Sequence, residues 1–122
     1  MKQDIALAGV GGQGILTLAT VVGHAAIAAG LNLKQSEVHG MAQRGGAVTA
    51  HLRVSDGAVW SDTIPSRSAD VLLALEPLEA LRQLPVLAPA GALVTNTNPV
   101  KNIGDYPEVD GLLEHLRARP GA

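Results

Sequence analysis

The chain has 122 residues, enough for one domain, and its 9 Lys+Arg against 11 Asp+Glu leave a formal net charge of -2. That balance argues against a nucleic-acid partner held by phosphate neutralisation. Cysteine is absent, which excludes disulfides, a thiolate zinc site, a cysteine nucleophile and a cysteine-ligated iron–sulfur cluster within this chain, and fits a cytoplasmic protein. Lys2 is followed by Asp4 and a glycine loop, unlike a signal peptide. The longest apolar segment, Ile15 to Leu31, is broken by Thr17, Thr20, Gly23 and His24 and does not read as a membrane span. Aromatic residues are only 2% of a chain that is 47% hydrophobic, so Ala, Gly, Val and Leu must build the core. Small side chains let layers approach closely, but each buries little area.

Residues 3–9 are expected to form the first strand. Residues 12–29 follow as its helix, ended by Gly30, with Gly23 packed closely on a sheet. Residues 31–38 make a polar second strand, and a glycine-rich loop follows. Residues 47–54 alternate, with Val48, Ala50, Leu52 and Val54 on one face and Thr49, His51 and Arg53 on the other, as a half-exposed strand does. Asp56-Gly57 then signals a hairpin turn into Ala58-Val59-Trp60. Ala69 to Leu75 reads as a buried parallel strand, and Glu76-Pro77 opens a helix running to about Leu84. Pro85 and Pro89 bound a loop, residues 92–95 form a strand, and residues 108–118 a short last helix. The order predicts a single α/β domain over residues 1–122. It is three-layered (α/β/α) and Rossmann-like, with a mainly parallel sheet and one antiparallel hairpin.

Two glycine loops carry the chemistry. The first, Gly9-Val10-Gly11-Gly12-Gln13-Gly14, fits G-x-G-x-x-G between a strand and a helix. Its backbone N–H groups and the positive end of the helix dipole point at one place, which makes an anion site. A dinucleotide site of NAD or FAD type is one reading, with Glu37 at about the right distance to bind the ribose. A bare tight strand-to-helix crossing is another. In the second loop, Gln43 and Arg44 lie between Gly40 and Gly45-Gly46, and an arginine fork suits carboxylate or phosphate. The plain alternative there is a surface loop with a solvated arginine. If that loop follows a strand parallel to the first, both loops border one crevice.

The remaining polar residues carry less. Of the four histidines only His39 stands beside a glycine loop, and no pair has helical metal spacing. His51 and Arg53 share a strand face that suits a partner. Glu76 and Glu79 suit a helix N-terminus.

These motifs, with Ser36 to Gly46, His51-Leu52-Arg53, Ala69 to Arg82 and the Thr95-Asn96 strand end, resemble the gamma-type subunit of 2-oxoacid:ferredoxin oxidoreductases. Within that family the pattern is nearest to the beta-subunit type of indolepyruvate:ferredoxin oxidoreductase. The run Gly40-Met41-Ala42-Gln43-Arg44-Gly45-Gly46 is its most specific part. The resemblance implies oxidative decarboxylation of a 2-oxoacid, of indolepyruvate or aryl-pyruvate type, to an acyl-CoA, with electrons passed to ferredoxin. It places thiamine diphosphate and the [4Fe-4S] clusters on a large partner subunit, which agrees with the absence of cysteine here. It offers Gly11, Gly12, Gln13, Gly14, Gly40, Gln43, Arg44 and Gly45 as candidate cofactor-binding positions, with no catalytic base and no metal ligand, and has the complex use coenzyme A through its partner subunits. It further implies a C-terminal segment beyond the one seen here, and an isolated chain without turnover.

Overall fold

A computed structural model describes residues 1–39, 46–101 and 103–122, with only the backbone at His39. The candidate positions Gly40, Gln43, Arg44 and Gly45 lie outside the described residues.

Five strands form one sheet in the order β2-β3-β1-β4-β5. They are β1 (Lys2–Val10), β2 (Asn32–His39), β3 (Ala47–Ser55), β4 (Ala69–Ala74) and β5 (Leu87–Thr95). The helices are α1 (Ile15–Ala28), α2 (Pro77–Gln83) and α3 (Val109–Arg117). β1 runs parallel to β4, and β4 to β5, whereas β3 is antiparallel to both β1 and β2. Four strands therefore point one way and β3 alone opposes them.

Alternation along β1 divides the core. Leu7 faces Ile15 and Ala19 of α1, together with Val48, Ala50 and Leu52 of β3. Ala6 and Ala8 face the opposite layer, where Leu78 and Ala80 of α2 pack with Leu112 and Leu116 of α3. The result is the expected three layers, with α1 on one face and α2 and α3 on the other. Alanine at these positions allows the close approach that the shortage of aromatics demands. Gly23 shows the same constraint, because a Cβ there would sit 3.0 Å from Cδ2 of Leu33. α1 ends in a Schellman turn: Gly30 donates to the Ile27 carbonyl and Leu31 to that of Ala26.

Two expectations fall at particular places. Ala58-Val59-Trp60 is not a strand, and the antiparallel partners of β3 are β1 and β2 instead. The Asp56-Gly57 turn is real, but the backbone of β3 is already paired on both sides, so the returning chain finds no edge to join. β5 starts at Leu87, not at residue 92, and carries Pro89. The register with β4 shifts between Ala69 and Val71, and the proline is tolerated at that irregularity on an edge strand.

The polar face of β3 packs against residues 61–64 of the same chain. Asp4 is fully buried, with Arg53 Nε 3.0 Å from Oδ1 and Lys2 Nζ 2.7 Å from Oδ2. Arg53 Nη1 also donates to the carbonyls of Ser61 at 3.3 Å and Thr63 at 3.4 Å. One ring nitrogen of His51, Nδ1, accepts from Ile64 N at 3.0 Å, and burial holds that imidazole below its ordinary pKa. The alternating face thus clamps residues 61–64 over the sheet.

Burial alone would push the Asp4 carboxyl up, but the hydrogen bonds from Arg53 and Lys2 outweigh it and hold Asp4 below the usual carboxylate range. Its contribution is present above the unfolded value of 3.8 and is lost as pH falls through the lower folded value. Asp4→Asn leaves Arg53 unpaired and should cost about 3 kcal/mol near neutral pH. The difference from wild type should shrink below pH 3.8, as read by urea midpoints across that range. Equal midpoints near neutrality would contradict the clamp.

Candidate functional site: the carboxyl edge of the sheet

The carboxyl ends of β1 and β4 adjoin where the connections diverge: β1 leads through α1 toward β2, and β4 through α2 toward β5. In open α/β sheets such a switch point is the usual ligand crevice. Here the first glycine loop occupies it. Gly12 and Gly14 have φ of 97° and 89°, and an added Cβ at either would meet nothing within 4 Å. Backbone conformation, not crowding, therefore requires glycine at both. Gly14 caps α1 without a side-chain hydrogen bond, and the first turn has no acidic residue, so the positive end of the α1 dipole has no carboxylate of its own.

Gln13 spans the crevice. Its Oε1 accepts from Val10 N at 2.9 Å, and its Nε2 donates to the Leu75 carbonyl at 2.9 Å. Gln13 N donates to the Val10 carbonyl at 3.1 Å, and Gly11 N to the Gly46 carbonyl at 2.8 Å. Two of the loop amides are thus committed to the chain's own oxygens. The Gly11–Gly46 bond also joins the first glycine loop to the last residue of the second. β2 runs in the same direction as β1, so the loops leave the same edge of the sheet, although β3 lies between those strands.

That intervening strand disposes of the dinucleotide reading. Two strand spacings, about 10 Å, separate β2 from β1. Glu37 is an exposed residue on β2, opposite Ala50 and hydrogen-bonded by Gln35 Nε2 at 3.0 Å. It does not stand beside the glycine loop as a ribose ligand must.

The edge continues from Leu75 into Glu76, which sequence reading had placed only as a favourable charge at a helix start. Glu76 is fully buried and is the N-cap of α2. One carboxylate oxygen accepts from Leu78 N and Glu79 N, and the other from Val100 N and the Tyr106 hydroxyl. The pairing pins the segment after β5 onto α2. Tyr106 ionises well above its ordinary range, through burial and its hydrogen bond to that carboxylate. Nothing in local spacing marks Tyr106 or Val100 as partners of Glu76. Among the described residues no group of three or more His, Asp or Glu is placed to hold a metal ion. Nor is any helix long and apolar enough to cross a membrane.

Glu79 is 1% exposed, and its Oε2 accepts no hydrogen bond, with Arg82 Nη1 at 3.5 Å as an ion-pair contact. Burial raises its pKa, Arg82 opposes the shift and Glu76 adds to it. The folded state therefore holds the proton more tightly than the unfolded state. Stability falls as pH rises from 4.5 toward the folded value. Glu79→Gln should abolish that decline, seen as a melting temperature that gains more over wild type near neutral pH than at pH 4.5. A constant difference across this range would contradict it.

Gln13→Leu strands Val10 N–H and the Leu75 carbonyl and should cost about 2 kcal/mol. Gly14→Ala should cost about 1–2 kcal/mol through backbone strain alone. Chemical denaturation reads both, and an unchanged midpoint for Gln13→Leu would deny that the amide bridge holds the edge.

The sequence matches the family described as Pyruvate ferredoxin/flavodoxin oxidoreductase over residues 4–120. It is 39% identical over 128 residues to indolepyruvate oxidoreductase subunit IorB of Methanothermobacter thermautotrophicus, covering 100% of this chain and 64% of that protein. It is 42% identical over 123 residues to the subunit of the same name from Archaeoglobus fulgidus, covering 96% of this chain and 60% of that one. The chain thus spans under two thirds of the length of these relatives. Among solved structures, the gamma subunit of a keto/oxoacid ferredoxin oxidoreductase from Geobacter sulfurreducens superposes with a TM-score of 0.61 at 29% identity, covering 78% of this chain and 51% of that one. The three-layer fold, the joined glycine loops and the match over nearly the whole chain agree: the protein belongs to the pyruvate ferredoxin/flavodoxin oxidoreductase family.

Proposed function

We propose that the chain serves as a subunit of a 2-oxoacid:ferredoxin oxidoreductase of the indolepyruvate type. The observation that carries this reading is the 39% identity to an indolepyruvate oxidoreductase subunit across 100% of the chain. The reaction converts an aryl pyruvate and coenzyme A to the acyl-CoA and carbon dioxide, and two electrons pass to ferredoxin. A large partner subunit supplies the thiamine diphosphate, which carries the decarboxylation, and the [4Fe-4S] clusters. The residues here fit that division, since with no cysteine the chain has no thiolate for a cluster.

This chain's part is to shape and position. The loop from Gly11 to Gly14 presents the α1 N-terminus at the carboxyl edge, where it favours an anionic group such as a coenzyme A phosphate. The candidate positions Gly40, Gln43, Arg44 and Gly45 follow β2 in sequence and return at Gly46, which is bonded to Gly11. An arginine there provides a planar, permanently charged fork for the same class of anion.

Reconstitution tests the proposal. The chain alone should reduce neither ferredoxin nor viologen. Added to its large subunit, it should restore coenzyme A-dependent reduction by an aryl pyruvate, and Arg44→Gln should raise the apparent KM for coenzyme A more than it lowers kcat. Full activity of the large subunit without this chain would overturn the assignment.

A further inference from the structure

The amino edge of the sheet, where β1 begins and β3 ends, carries an open cavity of about 220 Å³. Lys2, Asp4 and Arg53 line it from the strands, and Ala58, Val59 and Trp60 line it from the segment after β3. Trp60 is the chain's single tryptophan, yet it is 93% exposed, while alanine and leucine fill a core short of large side chains. The strand side of the cavity holds donors that the fold does not use up. Arg53 Nε donates to Asp4 Oδ1 at 3.0 Å, Nη2 to Asp4 Oδ2 at 3.5 Å, and Nη1 to the carbonyls of Ser61 and Thr63. A second hydrogen on Nη2 is left over. Lys2 Nζ gives Asp4 Oδ2 one hydrogen at 2.7 Å and keeps its others. Arg53 Nη2 and Lys2 Nζ contact the same carboxylate oxygen, so their spare donors converge on one place. Two cations against one carboxylate leave the lining with a net positive charge. The nearby acids are engaged elsewhere: Asp70 accepts from the Asp4 amide at 2.8 Å, and Asp56 pairs with the Met1 ammonium at 2.9 Å.

We propose that this cavity binds a small carboxylate bearing a flat aromatic ring. The carboxylate bridges Lys2 Nζ and Arg53 Nη2, and the ring lies against Trp60 and Val59. Charge selects the head group. A cation is repelled by the lining, and a dianion would bring an uncompensated charge beside Asp4, whereas one carboxylate balances the excess and accepts both spare donors. The exposed indole selects the ring, because offset stacking adds to the area that both rings remove from water. Volume selects the size, since drug-sized ligands ordinarily occupy about 300–1,000 Å³ and this cavity is smaller. The site lies at the opposite edge of the sheet from the glycine loops, so its occupant does not compete with an anion held there. Its anchors are also the residues that tie β1 to β3 at this edge, so the ligand should stabilise the fold as well as bind it. The site stands or falls apart from the function proposed above.

A single tryptophan at the cavity makes intrinsic fluorescence a reporter of this site alone. Titration of the full chain with 3-phenylpropanoate should move Trp60 emission to shorter wavelength and saturate in the millimolar range or below. 3-Phenylpropanamide has the same shape without the charge and should bind about tenfold more weakly, having lost the charge-assisted hydrogen bonds. Acetate has the charge without the ring and should leave the emission unchanged. Lys2→Gln should weaken binding of 3-phenylpropanoate about threefold or more. Trp60→Leu removes an exposed ring, leaves the core intact and should weaken binding by a similar factor, read by calorimetry. No saturable shift in wild type would overturn the proposal. So would equal binding of acid and amide, or equal binding by wild type and the Trp60→Leu variant. An emission shift that grows with protein concentration in the absence of ligand would show a second copy covering Trp60, and would overturn it too.

Discussion

The amide of Gln13 is the constraint on which the functional edge depends. One side-chain amide has a donor and an acceptor held in one plane. Here the acceptor meets Val10 N, where β1 ends, and the donor meets the Leu75 carbonyl, where β4 ends. From that bridge a line of hydrogen bonds runs in both directions. On one side Gln13's own loop passes to Gly46 through Gly11. On the other, Leu75 N bonds the Ala8 carbonyl, and the next residue, Glu76, ties Val100 and Tyr106 to α2. The glycine loop, β4 and the segment after β5 are therefore coupled through main-chain and buried side-chain groups, with little reliance on long flexible side chains. The ends of the line differ in chemistry. The Glu76 end is closed, with both carboxylate oxygens satisfied, whereas the Gly11 end joins the loop that carries Arg44.

A core without phenylalanine makes that coupling necessary. Aromatic side chains normally supply much of the burial that holds layers together. Here β1 offers Ala6 and Ala8 to one face and Leu7 to the other, so each contact is small. Close layers compensate, but they tolerate only a narrow range of backbone positions. Buried polar anchors such as Asp4 with Arg53, and Glu76 with Tyr106, set those positions sharply because a misplaced buried ion is costly. The amino edge is held by the first pair, the carboxyl edge by the second and by Gln13.

Much of this architecture was legible in the sequence because it is written in local pattern. The strand–glycine–helix start, the alternation of β3, the Glu76-Pro77 helix start and Gly30 at the end of α1 each follow from residues within one turn or one pleat of each other. What was not legible depends on distant partners. The Asp56-Gly57 turn is a valid hairpin signal, and only the prior occupation of both β3 edges denies it a strand. Pro89 reads as a loop until its place beside an irregular edge pairing is known. His51 and Arg53 alternate as exposed residues do, and only residues 61–64 folding back make them internal. The joining of the two glycine loops was legible only conditionally, since it required β2 to run with β1. In the sequence Gln13 is only one position of the first glycine loop. Its role depends on the end of β4, which lies far along the chain.

The same bridge reshapes what a glycine loop at a switch point does. In a dinucleotide fold the crevice stays open and loop amides wait for a pyrophosphate. Here the chain's own carboxamide spans the crevice, the amides of Gly11 and Gln13 are spent on the carbonyls of Gly46 and Val10 respectively, and the acidic residue of β2 stands two strands away. The N-terminus of α1, by contrast, has no side-chain cap and no acidic residue in its first turn.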